Sequence, residues 1–513
     1  MRYSNLIGKL RSGGRTLWWW TYTRFPRFVP EFEPSPRCPD EKSDTQANKR
    51  TAVPEGEAVD LKYMWAFEAY GPAEIDALYC GLHKLGWDRQ SEMGFRENCI
   101  EWIKSQRLQG FCGSLNVGIA QGSAGGPFVP SGLVADFPPG VEFADVTLYQ
   151  VCPSLTVLQV MFALDDNARR LYESEINREG RTEFEPIRNK VGAYSVYDPP
   201  RRKIRAIKRV RLELQNAVES WIKSSLPGMF CTSLKDAIPT AECVVTKVSN
   251  VLEGRKESGE NVSGWGRLLV GGAIVDSWRC VDSEGFMLAS IGERGNRPHV
   301  LVAVSESRIT ENEVRMYGGL DASSTMSIVK NRVSDVLAQF GLLALLEAVR
   351  RKLAVTRDAL NVVGAGEMNA IRALRAIQEF FVHDVQIPNI LRELYLNTSS
   401  FQTIFSLSPE FVQVASSRHQ GRIELREMAR KSINVAARQL SNDDAATRDA
   451  LKQLSDVVAA GIGVAAQRTM RRLTWWIIAL SIVTLVATVF ASPMGKEVVT
   501  SADFVFKWVR SHA

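Results

Sequence analysis

The sequence holds no GxxxxGK(S/T) phosphate loop, no GxGxxG fingerprint, no HExxH helix and no GxSxG elbow. Those absences remove the common signatures of nucleotide-dependent, zinc-hydrolase and serine-hydrolase chemistry. Histidine is scarce. His83, His299, His383, His419 and His512 are the only five, too far apart in sequence for metal-ligand spacing. The eight cysteines include no CxxC pair, and Cys243 stands inside the apolar run Ala241-Glu242-Cys243-Val244-Val245. They read as buried free thiols in a reducing compartment rather than as a disulfide framework. No catalytic residue, cofactor-binding residue or metal ligand is assigned, the cofactor is unknown, and the balance leans away from an enzyme.

Weaker motifs have structural readings. Gly122-Ser123-Ala124-Gly125-Gly126 lacks the lysine of a phosphate cradle and reads as a turn. Gly364-Ala365-Gly366 reads as a loop between helices, His383-Asp384 as a pair near a helix end, and Asp165-Asp166 as a helix start.

Charge is missing from residues 473–495, and this absence is the strongest signal in the chain. About twenty helical residues at roughly 1.5 Å each match a hydrocarbon layer of roughly 30 Å, so residues 473–492 are expected to cross a membrane. Arg468, Arg471 and Arg472 precede the stretch, and Trp475 and Trp476 stand where an interfacial belt is expected. Pro493 and Gly495 end it. The N-terminus carries no apolar run long enough for a signal peptide. The expectation is therefore one span, a large cytoplasmic N-terminal part and a short tail, 493–513, on the other side. The sequons at Asn261 and Asn397 would then stay unused. Within the span, Ser481, Thr484 and Thr488 fall on one helical face and are candidates for helix association. Nothing ionisable lies inside it, so a pore would need several copies.

The rest has globular composition, 45% hydrophobic and 23% charged, at a length that suggests more than one domain. Residues 1–57 read as a basic, Trp-rich leader followed by a Pro-rich and polar linker. Trp18, Trp19 and Trp20 are candidates for an anionic bilayer surface, and the polar run 40–50 reads as linker or disorder. Residues 58–320 mix periodicities without a regular βαβ rhythm, which predicts an α+β domain. Helices are expected around Ile75, Leu78, Leu82 and around Phe95, Cys99, Ile103. Strands are expected at 115–119, 141–151, 155–164, 241–248, 268–275, 286–291 and 300–304, with a hairpin turn at Pro153-Ser154. A long helix follows Pro199-Pro200 with Ile207, Val210, Leu214, Val218 and Trp221 inward.

From residue 321 to 472 the pattern is all-helical, a bundle or stalk. One helix runs from about 322, and a second carries Ile371, Leu374, Ile377 and Phe381 and ends near Pro388. A third stripe steps by three and four residues, coiled-coil fashion, into the span. Ser441-Asn442-Asp443-Asp444 interrupts the pattern and resembles a helix cap, so the stripe is either one long stalk or two stacked helices.

The basic run Arg201, Arg202, Lys203, Arg205, Lys208, Arg209 and Arg211 is the most informative feature outside the span. A solvated helix face is its plain reading. Anionic lipid headgroups and nucleotide phosphates are its candidate ligands, while the lack of interleaved aromatics disfavours nucleic acid. The architecture of a head whose long helix continues into a span looks like that of the CorA-type magnesium channels. Those carry a Gly-Met-Asn motif and a second span. Here Pro493-Met494-Gly495 follows the span, and residues 498–509 are too short and too charged to cross again.

The functional expectation is a C-terminally anchored, single-pass sensing or scaffolding module. Its partners would be the bilayer, further copies of itself and a protein bound by the head. The alternatives are an oligomeric pore gated by the head, and a membrane-tethered enzyme with an unfamiliar site.

Overall fold

The computed structural model describes residues 41–88, 98–122, 133–186, 194–253, 264–271, 274–291, 297–364, 385–397, 409–414 and 423–491. The strands are β1 (Val59–Tyr70), β2 (Gly113–Gln121), β3 (Leu133–Val134), β4 (Val141–Cys152), β5 (Leu155–Leu164), β6 (Glu183–Pro186), β7 (Tyr194–Tyr197), β8 (Thr240–Thr246), β9 (Ile274–Cys280), β10 (Phe286–Ile291), β11 (His299–Ser305) and β12 (Phe411–Gln413). The helices are α1 (Glu41–Arg50), α2 (Ile75–Lys84), α3 (Cys99–Gln109), α4 (Asp166–Asn177), α5 (Pro199–Ser225), α6 (Gly266–Leu269), α7 (Glu311–Tyr317), α8 (Ala322–Gly364), α9 (Ile387–Leu396) and α10 (Leu425–Ala491). The chain divides into two compact units, residues 1–352 with 384–442, and residues 353–383 with 443–513.

The first unit is organised by a ten-stranded sheet in the order β12-β9-β10-β11-β8-β1-β5-β4-β2-β3. Neighbours are antiparallel except β8 with β11 and β2 with β3. Beside the central β1–β8 pair lie β5 and β11, with β3 and β12 at the two edges. The sheet runs outward as β5, β4, β2 on one side and as β11, β10, β9 on the other. β6 and β7 form a separate two-stranded hairpin.

Central strands covered on both faces are buried in nearly every position and largely apolar, as β1, β5 and β8 are. Tyr63, Trp65 and Phe67 share a cluster with Cys243 and Val302, against Met326, Val329, Val333 and Leu337 of α8. Gly341 lets α8 come close, because a β-carbon there would meet the Phe67 ring at 3.1 Å. The alternate face of β1 and β8 packs against α4 and α5.

Most expected elements are present, including the 153–154 turn between β4 and β5 and the helix start at Asp165, whose carboxylate accepts from the Ala168 amide at 2.8 Å. Two expectations are corrected. The strand expected at 268–275 is instead the single turn α6, followed by Gly271 at φ +69°, and β9 begins only at Ile274. A left-handed glycine ends an apolar run that hydropathy alone would extend. The polar run expected as linker is α1 over 41–50. Asp44 accepts from the amide and hydroxyl of Thr182 at 2.8 and 2.6 Å, and Asn48 bonds Gly180. Its anchors are hydrogen bonds, which carry no hydrophobic period. Pro388 lies in the first turn of α9, where a missing N–H is harmless.

Of the two forms open to the third helical stripe α10 takes the continuous one, running without interruption through Ser441-Asn442-Asp443-Asp444. Asp444 is buried and accepts from Arg448 Nε at 2.8 Å, and Thr447 donates to the Asp443 carbonyl at 2.7 Å, so these residues bond within the helix. The expected boundary near 320 falls at the start of α8, whose turns up to residue 352 belong with the sheet. Phe411, in β12, also joins the sheet core.

Candidate functional site

α5 begins with Asp198, whose carboxylate accepts from the Arg201 amide at 3.0 Å, and with Pro199 in its first turn. Its buried stripe is Lys203, Ile207, Val210, Arg211, Leu214, Gln215, Val218, Trp221 and Ile222, at helical steps of three and four. The expected apolar positions are all on it. Three polar side chains share the stripe, and each must find a partner away from water.

Two of them do so in one network on β8 and β11. Arg211 donates to Glu242 from Nε at 2.8 Å and from Nη2 at 2.5 Å, and Nη2 also donates to the Leu269 carbonyl at 2.7 Å. Tyr172 reaches the same carboxylate at 3.4 Å, and His299 Nε2 stands 3.4 Å from it. Gln215 Nε2 bonds Thr240 Oγ1 at 2.9 Å and His299 Nδ1 at 3.1 Å. Burial works against the charge of Glu242. The Arg211 guanidinium and His299 outweigh it and hold the carboxyl down at about 2. Arg211, expected as an anion-binding residue, is therefore committed to an internal carboxylate. The sequence signal for this network was Glu242, a charge inside the apolar run 241–245.

Lys203 is the third. The residue is buried, at 4% exposure, yet among the described residues its ammonium meets only the Thr51 carbonyl, at 3.5 Å. Among the described residues no carboxylate lies within ion-pair distance of it. Burial pushes its pKa down, opposed by the more distant Glu179. Lys203 opens on a cleft of about 420 Å³ between α4, the β6–β7 hairpin and the first turns of α5. Arg178, Arg202, Arg205 and Arg209 share the lining with Glu175 and Glu183. α1 braces one edge of this cleft, since the 180–182 segment that Asp44 and Asn48 grip leads into it.

The other basic residues of the run scatter around the helix. Arg202 pairs with Glu183 at 2.8 Å and donates to the Arg181 carbonyl. Arg205 pairs with Glu185 at 2.7 Å and lies over the Tyr197 ring at 5.0 Å. Arg209 reaches Glu175 at 3.2 Å, the carboxylate that also takes Arg178 at 3.3 Å. Arg201 is exposed and donates to the Val196 carbonyl, and Lys208 lies across Gly271. The cleft thus gathers Arg202, Lys203, Arg205 and Arg209 of the expected set. It adds Arg178, the residue just past α4, which no sequence period linked to them.

The second candidate region is the C-terminal part of α10. Among the described residues it is the one helix long and apolar enough to cross a membrane, with a mean hydropathy of 1.4 in its apolar window. Every described side chain from Asp456 to Thr488 is exposed, Arg471 and Arg472 included, with Trp475 at 71% and Trp476 at 72%. A buried core helix would show the opposite. Thr484 and Thr488 donate to the carbonyls of Leu480 and Thr484, each at 2.7 Å, so their hydroxyls are satisfied within the helix. Trp18, Trp19, Trp20, His383, His419, His512 and the expected helix over Ile371 to Phe381 lie outside the described residues.

Among the described residues no group of three or more His, Cys, Asp or Glu side chains is placed to hold a metal ion. Comparison with protein-family models and with curated proteins finds no match.

Proposed function

We propose that this chain is a single-pass membrane protein anchored by residues 473–492, with its large N-terminal part in the cytoplasm acting as a sensing or scaffolding head. The observation that carries the reading is α10 itself. One helix begins inside the first unit, burying Leu425, Ala429, Ile433, Ala437 and Leu440, and ends in an apolar stretch whose side chains are bare. Exposed runs of this length and hydropathy are costly in water and match the solvent of a bilayer. A helix without a break also ties the head to the span by backbone hydrogen bonds, so a change in the head is passed on as a rotation or displacement of the span. Self-assembly of such copies at the membrane belongs to the same reading.

The test compares the full-length chain with a chain ending at Arg468, both produced without detergent in the presence of lipid vesicles. The full-length chain should float with the vesicles and resist alkaline extraction, and the shortened one should stay in the soluble fraction. A full-length chain that remains soluble and monodisperse without lipid sinks the anchor. Protease added outside sealed, cytoplasm-out vesicles should digest the head, and protection of the head would reverse the orientation.

A further inference from the structure

We infer that the cleft between α4, the β6–β7 hairpin and α5 binds a small multivalent anion of the phosphoryl type, with Lys203 as its central contact. The inference deepens the sensing reading of the head and rests on it only for its biological use.

The argument begins with an imbalance. Of the three polar side chains on the buried stripe of α5, Arg211 has a two-point carboxylate and Gln215 has Thr240 and His299. Lys203 is nearly as inaccessible and, among the described residues, has one long contact to a carbonyl. A buried ammonium without a counter-charge is expensive and is normally paired. A cation held at a core position, and open to a cavity rather than to a carboxylate, is a charge kept for something that enters the cavity.

The walls indicate what enters. Guanidinium groups from α5 and from just past α4 converge on the cleft, and their planar donor forks match phosphoryl oxygens two at a time. Glu175 holds Arg178 and Arg209 in place from the rim, and Glu183 holds Arg202, so the groups are preorganised at the cost of part of their charge. Five cations against Glu175, Glu183 and the Glu185 that pairs with Arg205 leave a surplus of two, which a monocarboxylate would not neutralise and a phosphate ester would. The volume, about 420 Å³, is within the range of small-molecule sites and exceeds what one inorganic ion fills. The Tyr197 ring, already faced by Arg205, supplies a flat wall for the organic portion. A free phosphate ester and a phospholipid headgroup present the same group, and the experiment separates them.

Full-length protein in detergent is titrated with pyrophosphate at low salt by calorimetry, and the same protein in phosphatidylcholine nanodiscs is melted with and without phosphatidic acid. Lys203→Met and Arg209→Gln are the test variants, and the exposed Lys223→Met is the control. Lys203→Met removes an unpaired buried charge, so the empty protein should melt no lower than the parent, which separates lost binding from lost folding. Arg209 is exposed, and its variant keeps the fold in any case.

Saturable pyrophosphate binding, weakened about tenfold or more by either test variant and unchanged by the control, supports a soluble ligand. The same dependence on Lys203 seen only with phosphatidic acid supports the headgroup as the source. No response to either anion, or an equal response in Lys203→Met, overturns the inference. Because the calorimetry needs no bilayer, its failure says nothing against the anchor, and loss of the anchor says nothing against it.

Discussion

The Arg211 guanidinium lies side-on against the Glu242 carboxylate, with Nε to Oε2 at 2.8 Å and Nη2 to Oε1 at 2.5 Å, and both side chains are almost wholly sealed from solvent. Breaking such a pair from one side strands a charge in the core. Arg211→Met should therefore destabilise the chain by about 3–5 kcal/mol, whereas Arg211→Met with Glu242→Leu should recover most of that loss. Denaturant midpoints of the full-length protein in detergent decide it, and a double variant no better than the single would show that the pair is needed for more than its charge.

Glu242 also sets an acid limit. Its carboxyl is held at about 2 in the folded chain against an ordinary 4.5, so the folded state favours the ionised form. The stability this provides is complete above pH 4.5 and drains away as pH falls toward 2. Thermal melts from pH 6 to pH 2 should show a decline that is much weaker in the Arg211→Met, Glu242→Leu double variant.

Glu68 behaves in the opposite sense. It is fully buried on β1, accepting the amides of Ala69 at 2.9 Å and Phe230 at 2.8 Å through one oxygen. Burial pushes its carboxyl up to about 7, overcoming those bonds. The folded state thus prefers the protonated acid. Its contribution is complete below pH 4.5 and is lost as pH rises through 7, on the order of 3 kcal/mol at most. Glu68→Gln retains the accepting oxygen and cannot ionise, so its stability should be level between pH 5 and 8 and should exceed the parent at pH 8. A parent whose melting temperature is flat across that range would contradict the assignment.

A cation in the middle of the span is costly to insert, by about 2.5–3.5 kcal/mol at the centre of a membrane helix. Val483→Arg should accordingly move much of the full-length chain from the floating to the soluble fraction, while Val457→Arg, upstream of the basic flank, should not. Equal flotation of both variants would place the contact with lipid elsewhere in the chain.

The hydroxyls of Thr484 and Thr488 are turned back onto their own helix. Replacing both by valine should therefore leave the oligomeric mass in detergent unchanged, and a drop in mass would show that these hydroxyls bond across helices instead.

The sequence exposed what depends on apolar rhythm. The β-rich, nearly continuous apolar runs of β4 and β5, the stepped face of α5 and the uncharged end of α10 were all legible, because burial selects apolar side chains in patterns set by the element. It concealed what depends on hydrogen bonds between distant residues. α1 is polar throughout and is fixed by Asp44 and Asn48 to residues more than a hundred positions away. The basic run was visible as a run. Its division into a sealed pair at Arg211, an orphan at Lys203 and a ring of rim pairs required Glu242, Glu175 and Glu183, which no local spacing connects to it. Arg178 stayed hidden for the same reason, since only the fold brings the end of α4 beside the start of α5.

β12 has a consequence for how the chain is made. It covers the edge of β9, pairing Phe411 with Cys280, and the two strands are separated by roughly 130 residues of sequence. At translation rates of about 5–20 residues per second, that edge stays open on the ribosome for roughly 7 to 26 seconds. Throughout that interval β9 offers unpaired amides and carbonyls to any other nascent strand. A chaperone that binds extended segments would find an opening there, and crowding of ribosomes on one message would expose this edge to the strands of neighbouring chains.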